Sequence, residues 1–277
     1  IKKLETKLEI AKKNNSLPKV IIPVHLCGSS CDMKPIYELS KIYNFFIIED
    51  ASHALGGKYD NEPVGNCKYS DICVFSFHPV KIITSGEGGV ATTNQLSLSK
   101  KLRSFRSHGI TKKDSEFQKT SIGPWYYEMQ NLGLNYRLSD IQSALGLSQL
   151  ERLDEIVEKR NNLIKFYKQS TYDLPFEFLK VPNNVYSSFH LAVIRLNNKS
   201  ASYHLKVFKE LRRSGIGVQL HYLPVHLHPY YRNMGFCEGD FPEAEFYSSN
   251  AFSIPLFEDL SKSSQKRVIN LLRKALN

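Results

Sequence analysis

The sequence predicts an α/β protein, a larger domain built on a mainly parallel sheet followed by a smaller α+β domain. Three observations carry this prediction. Short, nearly all-apolar runs alternate with helical patterns through the first half, as expected of strands covered on both faces. A long helical pattern then runs from about Ser139 to Tyr167, a length that suggests a connector between domains. Beyond it the texture changes to a few strands and amphipathic helices. The division is expected at 1–155 for the large domain and 156–277 for the small one.

The chain opens on an amphipathic, polar helix. Lys19–Leu26 reads as a buried strand, Met33–Tyr43 as a helix, and Phe45–Ile48, Ile72–Phe77 and Gly89–Thr93 as strands bounded by turn residues. Ser97–Phe105 reads as a helix and is followed by a loop containing Gly109, Gly123 and Pro124. In the second half, Phe189–Leu196 and Gly217–Tyr222 read as strands, and Tyr203–Arg213 and Lys262–Leu276 as helices.

Composition removes several function classes. With 277 residues and 42% hydrophobic content, the chain can bury a substantial core, which excludes disorder and a disulfide-stapled miniprotein. The apolar runs VIIPVHLCG and NFFIIEDA fall far short of the ~20 residues a membrane helix needs. No signal-peptide pattern opens the chain, so a cytoplasmic protein without a membrane partner is expected. The five cysteines are an odd set without paired spacing, as in a reducing compartment. Cys27 and Cys31 lack a second ligand pair at zinc spacing, so no metal is expected. The net charge of +10 is scattered along the chain, and no nucleic-acid-binding motif accompanies it. It reads as a solvated basic surface that would also attract an anion such as a nucleotide diphosphate.

In an open α/β sheet, ligands sit outside the carboxyl ends of the strands. Two segments end there with chemically loaded residues. In FFIIEDASHALGG, Asp50 follows a strand and precedes His53; in DICVFSFHPVKIITSGEGGV, Ser76, His78 and Lys81 follow another. Parallel strands would bring Asp50 and Lys81 to one edge, as a structural ion pair or as reacting groups. The residue types are those that a pyridoxal-phosphate enzyme requires: an amine to hold the cofactor, an acid to keep its ring nitrogen protonated, and hydroxyls for its phosphate. The glycines of TSGEGG precede a strand, and their spacing fits neither a dinucleotide fingerprint nor a P-loop.

EDASHALGG, SFHPVK-x-x-T-x-GEGG and FRSHGI together resemble the DegT/DnrJ/EryC1/StrS sugar aminotransferases, which have the aspartate-aminotransferase-like fold (PLP fold type I). Within that family, NYRLSDIQSALGLSQL and VQLHYLPVHLHPYY resemble the pseudaminic acid branch most. The resemblance implies pyridoxal 5′-phosphate held covalently as an aldimine on Lys81, the catalytic lysine, with Asp50 at the ring nitrogen. It further implies His53 near the cofactor's 3′-oxygen and Ser76 at its phosphate. Asn135 would reach the phosphate of a neighbouring subunit, which implies a homodimer with shared sites. Gln219, Leu220, His221 and Tyr222 match a substrate-binding strand, while His226 and His228 read as surface residues. His53 could instead be a packed core histidine, and Asn135 a residue at the start of a helix.

The implied reaction moves an amino group from glutamate to C4 of a UDP-linked 4-keto-6-deoxy amino sugar. Alternatives are an aminotransferase acting on another nucleotide-linked keto sugar, or a truncated, non-catalytic dimerising or regulatory relative. The sugar 3-dehydratases are disfavoured because they carry His where Lys81 stands. The resemblance also implies an earlier phosphate-binding segment, so the large domain is expected to be N-terminally incomplete here.

Overall fold

The computed structural model describes residues 1–197 and 200–276. They divide into two compact units, 1–26 with 30–153, and 27–29 with the chain from 154 onward.

The first unit contains α1 (Lys2–Lys13), β1 (Val20–Ile21), α2 (Met33–Tyr43), β2 (Phe46–Asp50), β3 (Lys58–Tyr59), β4 (Glu62–Pro63), β5 (Ile72–Ser76), β6 (Gly89–Thr92), α3 (Leu96–Arg106), β7 (Ile110–Thr111), β8 (Glu128–Met129) and α4 (Asp140–Leu150). Its main sheet has the order β1-β2-β5-β6. β1, β2 and β5 run parallel, and β6 closes the edge antiparallel to β5. The sheet is therefore mainly parallel, as the apolar runs predict, but the expected cover on both faces is not found among the described residues, since Val20, Phe46, Val74 and Val90 are exposed. β3 with β4 and β7 with β8 form short antiparallel pairs. In α2 the buried Met33, Ile36 and Leu39 recur at helical spacing, and Asn44 in the left-handed conformation ends the helix.

The second unit contains α5 (Leu153–Ser170), β9 (Phe176–Phe178), β10 (Val185–Tyr186), β11 (Ala192–Leu196), α6 (Ala201–Arg213), α7 (Pro229–Arg232), α8 (Pro242–Asn250), β12 (Ala251–Ile254) and α9 (Lys262–Leu276). β11 lies between β12 and β9, antiparallel to both. One core joins this sheet to α5, α6 and α9 through Ile164, Ile194, Leu211, Phe252 and Leu272.

Four expectations are corrected. The strand expected over Lys19–Leu26 is continuous only over Val20–Ile21 and returns as a single bridge at Val24, because Pro23 between them has no N–H to give the ladder. The long helix from Ser139 is two helices broken at Glu151–Arg152, and Asp154 and Glu155 favour a fresh helix start against its dipole. The strand expected over Gly217–Tyr222 is a single bridge between Gln219 and Ser253. His226, expected at the surface, is buried and bonds Glu245 at 2.8 Å. α8 carries a start signal that the sequence reading passed over: proline in the first turn, followed by Glu243 and Glu245.

Candidate active site

β2 and β5 lie side by side, with Asp50 opposite Val74 in the register. Asp50 is therefore the last residue of a central strand, at the carboxyl edge of the sheet. Its backbone is held on both sides. Asp50 N–H donates to the Pro23 carbonyl (2.9 Å), and Ala51 N–H donates to the Val74 carbonyl (2.9 Å). Its side-chain Oδ1 accepts the Ser52 N–H at 3.1 Å, which turns the chain away from the strand. His53 follows and is buried.

From β5 the chain enters the lysine loop at the same edge. Ser76 Oγ accepts the His78 N–H at 3.3 Å, and Lys81 N–H donates to the His78 carbonyl at 2.9 Å, forming a tight turn that presents Lys81. The loop is closed behind the lysine. The Thr84 hydroxyl and Ser85 N–H both donate to the Phe77 carbonyl (2.9 and 3.0 Å), and Phe77 N–H donates to the Gly88 carbonyl (2.8 Å). Glycine is required where this loop returns to the sheet. A Cβ at Gly89 would lie 2.5 Å from the Phe75 carbonyl oxygen, and one at Gly88 2.5 Å from Ser85 Oγ.

The structure brings Asp50 and Lys81 within electrostatic reach of each other. Burial lowers the pKa of Lys81 below its ordinary value, and the negative charge of Asp50 pushes back in the opposite direction. A half-buried amine whose proton is held less tightly is a better nucleophile near neutral pH. Ser76 sits on the same loop as Lys81, at the last residue of β5.

Asn135 lies elsewhere in the unit, bridged to Ser107. The motif segments FRSHG and LNYR are zipped together, with His108 N–H donating to the Leu134 carbonyl (2.8 Å) and Tyr136 N–H to the Arg106 carbonyl (2.9 Å). Asn135 is exposed on this rigid platform. Ser139 and Gln142 form a reciprocal capping box at the start of α4, so Ser139 is the helix cap and Asn135 is not. Gln219, Leu220, His221 and Tyr222 belong to the second unit. His221 Nδ1 lies 3.0 Å from Ser253 Oγ, and the Gln219 and Tyr222 side chains are exposed.

The sequence reading missed a polar cluster directly beside Asp50. His25 is fully buried, and its Nε2 lies 2.8 Å from Glu49 Oε2. Glu49 also accepts the hydroxyl hydrogen of Ser70 on its other oxygen.

An amine, a carboxylate and a hydroxyl gathered at one strand edge suit a group bearing an aldehyde, a ring nitrogen and an anion. The residues present therefore fit pyridoxal phosphate. Among the described residues no group of three or more His, Cys, Asp or Glu is placed to hold a metal ion. No described helix is long and apolar enough to cross a membrane.

Comparison with known proteins agrees with this chemistry. The chain is 37% identical over 272 residues to the UDP-4-amino-4,6-dideoxy-N-acetyl-beta-L-altrosamine transaminase of Campylobacter jejuni, covering 98% of this chain and 68% of that protein. Helicobacter pylori PseC, an aminotransferase of pseudaminic acid biosynthesis, superposes with a TM-score of 0.85 at 32% identity, over 97% of this chain and 70% of that one. Streptococcus pneumoniae Spr1654 in its PMP form superposes with a TM-score of 0.84 at 29% identity, over 93% and 69% of the two chains. The DegT/DnrJ/EryC1/StrS aminotransferase model matches residues 3–273. The chain belongs to the DegT/DnrJ/EryC1/StrS aminotransferase family, whose members are pyridoxal-phosphate-dependent sugar aminotransferases.

Proposed function

We propose that this chain transfers an amino group from glutamate to C4 of a UDP-linked 4-keto-6-deoxy amino sugar, on the route to pseudaminic acid. The observation that carries the aminotransferase reading is the placement of Asp50 and Lys81 at one carboxyl edge, with the Asp50 charge acting on the lysine. The choice of sugar is supported by the similarity to the Campylobacter jejuni enzyme. It is also supported by the basic chain, whose +10 charge favours a nucleotide diphosphate.

Pyridoxal phosphate supplies, when bound, an electron sink for the carbon that loses or gains the amino group. Lys81 would hold it covalently through Nζ, then carry a proton once an amino donor displaces it. The Asp50 carboxylate would keep the ring nitrogen protonated, because an adjacent anion favours the charged form. Ser76 would donate its hydroxyl to the phosphate, with His53 beside the ring oxygen. Gln219, Leu220, His221 and Tyr222 would select the sugar.

Asn135 would serve the phosphate of a second copy. Its exposure, and that of the apolar residues Ile141, Leu145, Leu147 and Leu150 on α4, supports a homodimer with shared sites.

The test is direct. Borohydride reduction of the cofactor-loaded protein, followed by peptide mapping, should place the label on Lys81, and Lys81→Ala should abolish both label and transamination. Label on another lysine would overturn the assignment. Amination of only a 3-keto sugar nucleotide, with glutamate as donor, would overturn the choice of sugar and spare the family reaction.

A further inference from the structure

Asp50 ends its strand where the neighbouring chain is weakly attached. The ladder between β1 and β2 has two register pairs, Val20 with Phe46 and Ile21 with Ile47, and lapses before Pro23. It resumes at one bridge, Val24 with Asp50, where His25 N–H donates to the Asp50 carbonyl at 3.0 Å. Directly after it the chain turns through Leu26–Gly28, with Cys27 in the left-handed conformation. A segment of this kind, two bonds long and next to a turn, frays unless something else holds it.

The His25 side chain is placed to hold it. Consecutive residues of a strand face opposite sides of the sheet, so Glu49 points away from the face that Asp50 presents. His25 meets Glu49 there. The ring is completely buried, with Nδ1 accepting the Cys31 N–H at 3.2 Å, which leaves the Nε2 hydrogen for Glu49 Oε2 at 2.8 Å. Ser70, in the loop leading into β5, donates its hydroxyl to Glu49 Oε1. Three segments that meet around the end of β2 are therefore pinned through one buried carboxylate. A buried charge with each oxygen satisfied is rigid, because any movement leaves it unpaired.

We infer that His25, through Glu49 and Ser70, is a positioning residue for Asp50, fixing the carboxylate at the distance from the cofactor's ring nitrogen that its role demands. The inference rests on the proposed role of Asp50. It predicts that the cluster matters to cofactor binding only while Asp50 is there to be positioned. A purely structural cluster would weaken the fold, and with it cofactor binding, whatever stands at position 50.

The experiment measures the dissociation constant for pyridoxal phosphate by fluorescence titration on the full chain, together with the ring-nitrogen NMR shift of 15N-labelled cofactor. Losing one buried hydrogen bond of this type should weaken binding about two- to ten-fold. His25→Leu should show that loss and move the nitrogen shift toward the unprotonated ring. His25→Gln, whose amide can still donate to Glu49, should restore most of both. In the Asp50→Asn background, His25→Leu should cost nothing further. Ser70→Ala, the milder change, should show a smaller loss that also vanishes in that background, and it serves if His25→Leu does not fold. Additive losses in the double variants, or an unmoved nitrogen shift in the single ones, would overturn the inference alone. Wild-type binding and an unmoved shift in Asp50→Asn itself would instead overturn the role of Asp50, and the inference with it.

Discussion

Helices of the two units use apolar residues in opposite ways. In the second, the amphipathic α6 and α9 close over the β9/β11/β12 sheet, and Val207, Leu211 and Leu272 have no exposed surface at all. In the first, α3 and α4 bury none of their residues within the chain. α4 is nonetheless well formed at its start, since Ser139 and Gln142 cap each other's backbone N–H groups. A properly capped helix that leaves Ile141 84% and Leu147 60% exposed has spare hydrophobic surface. α6 and α9 are committed to the core of their own unit, whereas α4 holds apolar surface in reserve. The proposed second copy is what that reserve would serve.

The largest expected effect lies in the second unit. Leu272→Ala removes a fully buried side chain from a continuous core and should cost about 2–5 kcal/mol in a urea unfolding curve. A loss of under 1 kcal/mol would mean the core tolerates collapse and would blunt the contrast. The matching change in the first unit should behave differently. Ile141→Ser with Leu147→Ser removes no buried contact within the chain, so the unfolding of the isolated subunit should shift by no more than about 0.5 kcal/mol. Self-association, measured by analytical ultracentrifugation, should weaken at least ten-fold. An unchanged sedimentation profile would place the interface elsewhere and leave α4 without an occupant.

How much of this was legible in the sequence follows the same contrast between local and long-range information. Asp50 and Lys81 stood out because each closes or follows a short apolar strand, and the carboxyl edge of a parallel sheet is where such residues collect. The apolar periodicities of α2 and α9 likewise fixed those helices closely. Other features depended on long-range pairing. Gln219–Tyr222 meets the edge strand β12 only at Ser253, a long-range pairing that no local pattern announces. Pro23 was in plain view and should have shortened β1. The His25–Glu49–Ser70 cluster was hidden because Glu49 sits beside the more conspicuous Asp50. One signal was available, since strand alternation puts Glu49 on the opposite face, where a buried carboxylate must find a partner.

The smallest expected effect concerns the proton on Lys81, and its sign separates the two influences acting there. Burial disfavours the ammonium and lowers the pKa, while the Asp50 carboxylate favours the ammonium and raises it. Burial is the larger influence, so the free amine should appear at a lower pH than the ordinary lysine value of about 10.4. Competitive acetylation of the cofactor-free protein across a pH series, read by peptide mass spectrometry, gives this midpoint for Lys81 alone. Asp50→Asn removes the opposing influence and keeps the side chain's shape, so the midpoint should fall further. If the midpoint rises in that variant, the carboxylate cannot be acting on the lysine as an anion. If it does not move, Asp50 and Lys81 share an edge of the sheet without sensing each other, and the observation behind the aminotransferase reading loses its force. The same measurement on Glu49→Gln separates a specific effect from a general loss of negative charge. Glu49 faces the other side of the sheet and is already engaged by His25 and Ser70, so its removal should move the Lys81 midpoint less than the removal of Asp50 does.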